Sequence, residues 1–137
     1  MEKENKFSLV CLQSIKENIG KGKKPLYNPV CISGLSKKER FKIFCKLFNK
    51  LDKCRYISCR DIKKDEKFDF NKDLVIIEDI QVLVDNEQLQ KEICNIINEC
   101  LEHNIQIILC SNENIEELIL EEHLKSRLTW GISLYLK

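Results

Sequence analysis

The stretch Leu74-Val-Ile-Ile-Glu-Asp-Ile-Gln-Val-Leu83 constrains the fold more than any other part of the chain. An unbroken apolar run leads into two adjacent carboxylates, Glu78 and Asp79. A short apolar run without alternation suits a strand buried on both faces, as in a parallel sheet covered by helices. Carboxylates at the exit of such a strand stand at the carboxyl edge of the sheet, where open α/β folds bind ligands.

The rest of the chain agrees with that setting. Residues 5–19 carry Phe7, Val10, Cys11, Ser14 and Ile15 at helical spacing, and Gly20-Lys-Gly-Lys-Lys-Pro25 forms a loop after them. Pro29 to Ser33 reads as a short strand and Gly34 as a turn. Ser36 caps a helix expected to reach about Leu51, with Glu39 completing a capping box and an apolar face of Phe41, Phe44, Leu47 and Phe48. Cys54 to Cys59 is a second strand, and the polar segment Arg60 to Asp73 leads to Leu74. Glu87 to Glu102 is strongly amphipathic, with Leu89, Ile93, Ile96, Ile97 and Cys100 on one face and a cap within residues 85–88. Ile105 to Cys110 is a strand, Ile115 to Ser126 a helix and Ile132 to Leu136 a last strand. Strands alternating with helices predict an α/β domain over residues 1–137, a parallel sheet with helices on both faces.

Composition excludes several function classes. The net charge of +1 supplies no global basic field for nucleic acid. The longest unbroken apolar runs, such as Leu74–Ile77, are four residues, far short of a membrane span. Residues 1–6 contain no apolar signal core, so a cytoplasmic location is expected. The eight cysteines show no C-x-x-C spacing, and neither His103 nor His123 has ligand-like spacing to a cysteine pair. Reduced, mostly buried thiols are expected, and no metal.

The local words then become specific. Tyr27-Asn-Pro-Val-Cys-Ile-Ser-Gly34, Val75-Ile-Ile-Glu-Asp-Ile-Gln-Val-Leu83, Ile107-Ile-Leu-Cys-Ser-Asn112 and Leu124-Lys-Ser-Arg-Leu-Thr-Trp-Gly131 occur in that order. Together they resemble the AAA+ ATPase core of the bacterial replication initiator DnaA and its relative Hda, and Asn5-Lys-Phe7 resembles that family's helix entry. The resemblance implies a P-loop fold with five parallel strands. It also implies a nucleotide site in which ATP or ADP with Mg²⁺ is held by a glycine-rich loop and an acidic strand end.

The departures matter as much. The chain has no G-x-x-x-x-G-K-[ST]. The family's phosphate loop falls on Leu35-Ser-Lys-Lys-Glu-Arg-Phe41, where Gly34 is the only nearby glycine. Arg40 takes the lysine position, and Phe41 takes the place of the metal-binding hydroxyl. Glu78 replaces the usual first aspartate. A phosphate cradle needs glycines so that successive N–H groups can close on the anion. Loss of ATP binding is therefore expected, with Gly34, Arg40, Glu78, Asp79 and Asn112 as vestiges of the site. Glu78 and Asp79 are expected to pair with Arg40 or Lys38, and Asn112 to serve as a turn or helix cap. Arg127 matches the family's arginine finger; the alternative is a helix-end arginine facing the last carbonyls. Trp130 is expected to pack beside Gly131. The family's single-strand-binding insertion, helical lid and C-terminal helix-turn-helix are expected to be absent, which argues against sequence-specific DNA binding.

Three functions follow from these residues. The first is a non-catalytic module that contacts DnaA or another replication AAA+ protein through Arg127. The second is a nucleotide switch or ATPase with an atypical loop. The third is a weak non-specific DNA binder using Lys21, Lys23, Lys24, Lys37, Lys38 and Arg40.

Overall fold

The computed structural model describes residues 2–21, 23–65 and 67–137, with side chains from Asn5 onward. Its elements in order are α1 (Glu2–Asn18), β1 (Val30–Gly34), α2 (Lys37–Leu47), β2 (Cys54–Ser58), β3 (Leu74–Glu78), α3 (Glu87–Glu102), β4 (Gln106–Ser111), α4 (Glu122–Leu128) and β5 (Ile132–Leu136). Single 3₁₀ turns lie at Cys59–Asp61, Ile80–Leu83 and Ile115–Glu117. All neighbouring strands pair in parallel, in the order β2-β3-β4-β1-β5. The five-stranded parallel sheet expected from the sequence is the one observed.

The strand pleat sorts the core into two layers, because successive side chains point to opposite faces. Val75 and Ile77 join Ile107, Leu109, Ile93, Ile97 and Leu124 under α3 and α4. Leu74 and Ile76 join Val30, Ile32, Ile108, Phe44, Leu12 and Ile15 under α1 and α2. Every residue of β1, β3 and β4 is buried, which explains their unbroken apolar runs. Five of the eight cysteines lie in these layers. Burial raises the thiols of Cys31, Cys59 and Cys100 to about 12.

Three helical expectations need correction. α2 ends at Leu47, short of Leu51, with Phe48 as its C-cap. Its buried stripe is Arg40, Phe44 and Phe48, at spacing i, i+4, i+8, while Phe41 is 46% exposed. The helix expected over 115–126 is broken: buried Leu118 follows a single turn, the chain extends, and α4 starts at Glu122. α1 is rotated from its apparent apolar face. Asn5, Ser8, Cys11, Leu12 and Ile15 are buried, while Phe7 and Val10 face outward. The cause is Asn5, whose amide donates to the Lys137 carbonyl at 3.0 Å and accepts from the Lys137 N–H at 2.9 Å. Two hydrogen bonds to the end of β5 fix the helix azimuth against its hydrophobic preference.

Close approach between β1 and the start of β5 depends on Gly131. A Cβ there would stand 1.7 Å from the Pro29 carbonyl oxygen and 2.7 Å from its carbon, both backbone atoms that cannot yield. Gly131→Ala is expected to destabilise the fold by about 3 kcal/mol, the upper end of ordinary overpacking, read as a lower urea midpoint; an unchanged midpoint would contradict this packing.

Candidate functional site

Three loops meet at the carboxyl edge of the sheet, after the neighbouring strands β1, β3 and β4. Strand alternation places Glu78 on the same side as Leu74 and Ile76, toward α2. Arg40 lies on the buried stripe of α2 and reaches it. Nε of Arg40 donates to Glu78 Oε2 at 2.9 Å and Nη2 to Oε1 at 2.7 Å, a two-pronged ion pair. Nη2 also donates to Asn112 Oδ1 at 2.8 Å. Nη1 donates to the carbonyls of Gly34 at 2.8 Å, Leu35 at 2.9 Å and Ser111 at 3.3 Å. All five guanidinium N–H groups therefore have acceptors. Arg40 is 1% exposed and Glu78 fully buried. Burial pulls the guanidinium pKa down, but the hydrogen bond and charge of Glu78 outweigh it and hold it above the ordinary value.

Asp79 sits beside this pair in a left-handed conformation, φ 66°. Its Oδ2 accepts from Lys37 Nζ at 2.7 Å and from the Ser58 hydroxyl, and Arg60 Nε stands 3.9 Å away. Oδ1 accepts from Gln81 at 3.4 Å. Burial works to raise this carboxyl, but Lys37 and Ser58 prevail and hold it below its usual value.

The local polarity is opposite to that of a phosphate cradle. Carbonyl oxygens, not N–H groups, converge between β1 and α2, and they surround a cation. The start of α2 is capped by its own residues: the Glu39 N–H donates to Ser36 Oγ at 3.1 Å, and the Ser36 N–H donates to Glu39 Oε1 at 3.2 Å. The capping box was legible in the sequence. Both Glu78 oxygens are committed to Arg40, and among the described residues no cluster of three or more metal-ligating side chains occurs. Phe41, expected from the sequence at the place of a metal-binding hydroxyl, meets Tyr56 edge-on, with centroids 5.1 Å apart.

The structure thus brings together Gly34, Arg40, Glu78, Asp79 and Asn112, and several expectations change. The partner of Asp79 is Lys37 rather than Lys38. Asn112 caps no helix; it accepts from Arg40, and Asn114 caps the following turn through the Glu116 N–H. Arg40 lies inside the protein, so it leaves the basic surface patch. Ser58 was missed, because a serine ending a strand carries no distinctive signal. Burial of Arg40 was readable from its place four residues before Phe44. Arg127 stands apart, in the last turn of α4. Its Nε donates to Asn98 Oδ1 at 2.5 Å, its Nη1 donates to the His123 carbonyl at 2.8 Å, and its guanidinium lies 5.5 Å from the Trp130 ring centre. Trp130 is exposed rather than packed away, 58% accessible.

The family profile for the bacterial DnaA ATPase domain matches residues 15–135. The chain belongs to this family. It is similar to the chromosomal replication initiator protein DnaA of Kosmotoga olearia, 35% identical over 83 residues, 60% of this chain and 18% of that protein. The match spans less than a fifth of that relative's length. Domain III of the Thermotoga maritima DnaA superposes with a TM-score of 0.74 at 21% identity, covering 97% of this chain and 62% of that one. DnaA from Aquifex aeolicus, solved with AMPPCP bound, superposes with a TM-score of 0.78 at 25% identity, covering 97% and 46%. The chain is a DnaA-related AAA+ domain of the replication-initiation family.

Breaking a buried pair leaves an uncompensated charge, so Arg40→Met is expected to cost about 3–5 kcal/mol in chemical denaturation. Adding Glu78→Met is expected to return part of that loss, and a near-neutral Arg40→Met would contradict the geometry. The lowered Asp79 carboxyl gives a second expectation. Its contribution is fully present above the unfolded value of 3.8 and is lost as pH falls through the lower folded value. Asp79→Asn is therefore expected to flatten the loss of stability below about pH 4, measured by urea midpoints; an unaltered acid limb would refute it.

Proposed function

We propose that this chain is a non-catalytic DnaA-related module that has exchanged the nucleotide of its family for an internal ion pair. It regulates initiation by contact with DnaA or another replication AAA+ protein. One observation carries the reading: the Arg40 guanidinium, with all five donors met, occupies the edge where the family holds phosphate. In this arrangement the residues present do not fit a Mg²⁺–nucleotide. The turn offers carbonyls, Glu78 has no oxygen to spare, and Phe41 cannot ligate a metal. No catalytic step is assigned to any residue.

The contact residue in this reading is Arg127. An AAA+ nucleotide site is completed by two subunits, one supplying the phosphate loop and the other an arginine from outside. Arg127 lies away from the Arg40 edge and is held by Asn98 and Trp130, whose exposed ring widens the surface. A subunit of this kind would occupy one end of a DnaA assembly, where an arginine directed at the neighbour's γ-phosphate alters phosphate release.

Membership of an ATPase family supports a second reading, a switch that binds ATP or ADP with Mg²⁺ after Arg40 moves aside. One experiment separates the two. Mixed with host DnaA and ATP, the protein is expected to co-sediment and to change the rate of phosphate release. Alone it is expected to release none. Arg127→Ala is expected to lose at least about tenfold of the change, given the roughly 10³–10⁵ rate effects of supplied arginines. Equal behaviour of Arg127→Ala and the parent would sink the Arg127 role, and phosphate release by the protein alone would favour the switch.

A further inference from the structure

A cavity of about 370 Å³ opens at the amino edge of the sheet, where α1 ends and β3 and β4 begin. The length of a strand, roughly 16 Å for the five residues of β3, separates it from the Arg40 edge. Two side chains on its wall keep hydrogen-bonding capacity that the protein does not use. The first is Gln106, only 3% exposed. Its Nε2 donates to the Tyr27 carbonyl at 2.8 Å and to the Ile107 carbonyl at 3.3 Å, which fixes the amide. Its Oε1 accepts nothing from the described residues. The only buried side-chain polar atom without a partner among them is Gln81 Oε1, so Gln106 Oε1 opens onto the cavity.

The second is Asp73. Its N–H donates to the Lys53 carbonyl at 2.8 Å, and its carbonyl accepts from the Gln106 N–H at 3.3 Å, so backbone bonds set it beside Gln106. Its carboxylate is half-buried and has no ion pair or hydrogen bond among the described residues. A Cβ on Gly20, at φ 77°, would stand 3.6 Å from Asp73 Oδ2, so the glycine that ends α1 lies against that carboxylate. The rest of the wall divides by chemistry. Lys23 and Lys72 bring positive charge; Lys23 is exposed with no acidic partner among the described residues, and Lys72 meets Asp69 only at 3.7 Å. Ile15, Ile19 and Pro25 supply an apolar side.

We propose that this cavity binds an apolar α-amino acid. The ammonium group donates to the Asp73 carboxylate and to Gln106 Oε1, the carboxylate pairs with Lys23 and Lys72, and the side chain rests on Ile15, Ile19 and Pro25. The three kinds of wall select this class. A simple phosphate or carboxylate would face the Asp73 charge, and a simple amine would leave both lysines unanswered. The volume stands at the lower end of small-ligand sites, which suits a molecule of this size. The site uses neither the Arg40–Glu78 pair nor Arg127 and stands independently of the function proposed above.

Calorimetric titration of the protein with L-leucine, L-isoleucine, L-methionine and L-phenylalanine tests it. Saturable binding is expected with at least one of them at up to about 10 mM, together with a rise in melting temperature. For the one that binds best, the matching amine without the carboxylate and the matching acid without the ammonium are each expected to bind about tenfold more weakly or worse. Glycine, which lacks the apolar body, is expected not to bind. Asp73→Asn keeps both backbone bonds and Lys23→Met alters an exposed side chain, so both are expected to melt like the parent without ligand. Each is expected to weaken binding by about tenfold or more. Lys23→Met also carries the test by itself if Asp73→Asn folds poorly. No binding by any of the four amino acids, variants that bind like the parent, or an amine or acid that binds as tightly as the amino acid would each overturn the proposal.

Discussion

A guanidinium removed from water needs an acceptor for each of its five N–H groups and a counter-charge within contact distance. Arg40 meets both needs through groups from three loops, and the carboxyl edge of the sheet is organised around it. The turn after β1 supplies the Gly34 and Leu35 carbonyls, and Leu35 adopts φ 58° there. A left-handed non-glycine residue costs of order 1–3 kcal/mol and persists only where its surroundings enforce it. The end of β3 supplies Glu78, and the end of β4 supplies the Ser111 carbonyl and the Asn112 amide. One side chain thus links α2 to three strand ends, and the neighbouring Asp79 adds β2 through Ser58. An edge that is open in ligand-binding α/β folds is closed here by the protein's own ion pair.

This arrangement changes what family membership implies. The fold follows the DnaA domain. The chemistry at the edge does not. A phosphate site presents donors to an anion, whereas this edge presents acceptors to a cation. Arg127 belongs to a different surface, with its own partners in Asn98, His123 and Trp130, so it can be altered without disturbing the closed edge.

Much of the fold was legible because local and global signals agree. The capping box at Ser36 and Glu39, the helix Glu87–Glu102 and the strand Ile132–Leu136 stand where periodicity and turn residues place them. The misses share a physical cause, a tertiary contact overriding a local pattern. Asn5 turns α1 by bonding to Lys137, so Phe7 and Val10 face outward despite their spacing. Leu118 is drawn into the core, and the expected helix breaks before Glu122. In the site, Arg40, Glu78 and Asn112 were identified as residues, and a pairing of Arg40 with the acidic pair was anticipated. What the sequence did not carry was the three carbonyls that make the burial of Arg40 tolerable, since backbone acceptors leave no trace in residue identity.

The central claim is that the ion pair stands in place of a nucleotide. It is tested most directly by the melting temperature with and without Mg²⁺–ATP. A ligand at about 100 times its Kd stabilises a native state by roughly 2.7 kcal/mol, a readily measured upward shift. The claim predicts an unmoved melting temperature up to millimolar Mg²⁺–ATP. A saturable rise that disappears in Arg40→Ala would contradict it.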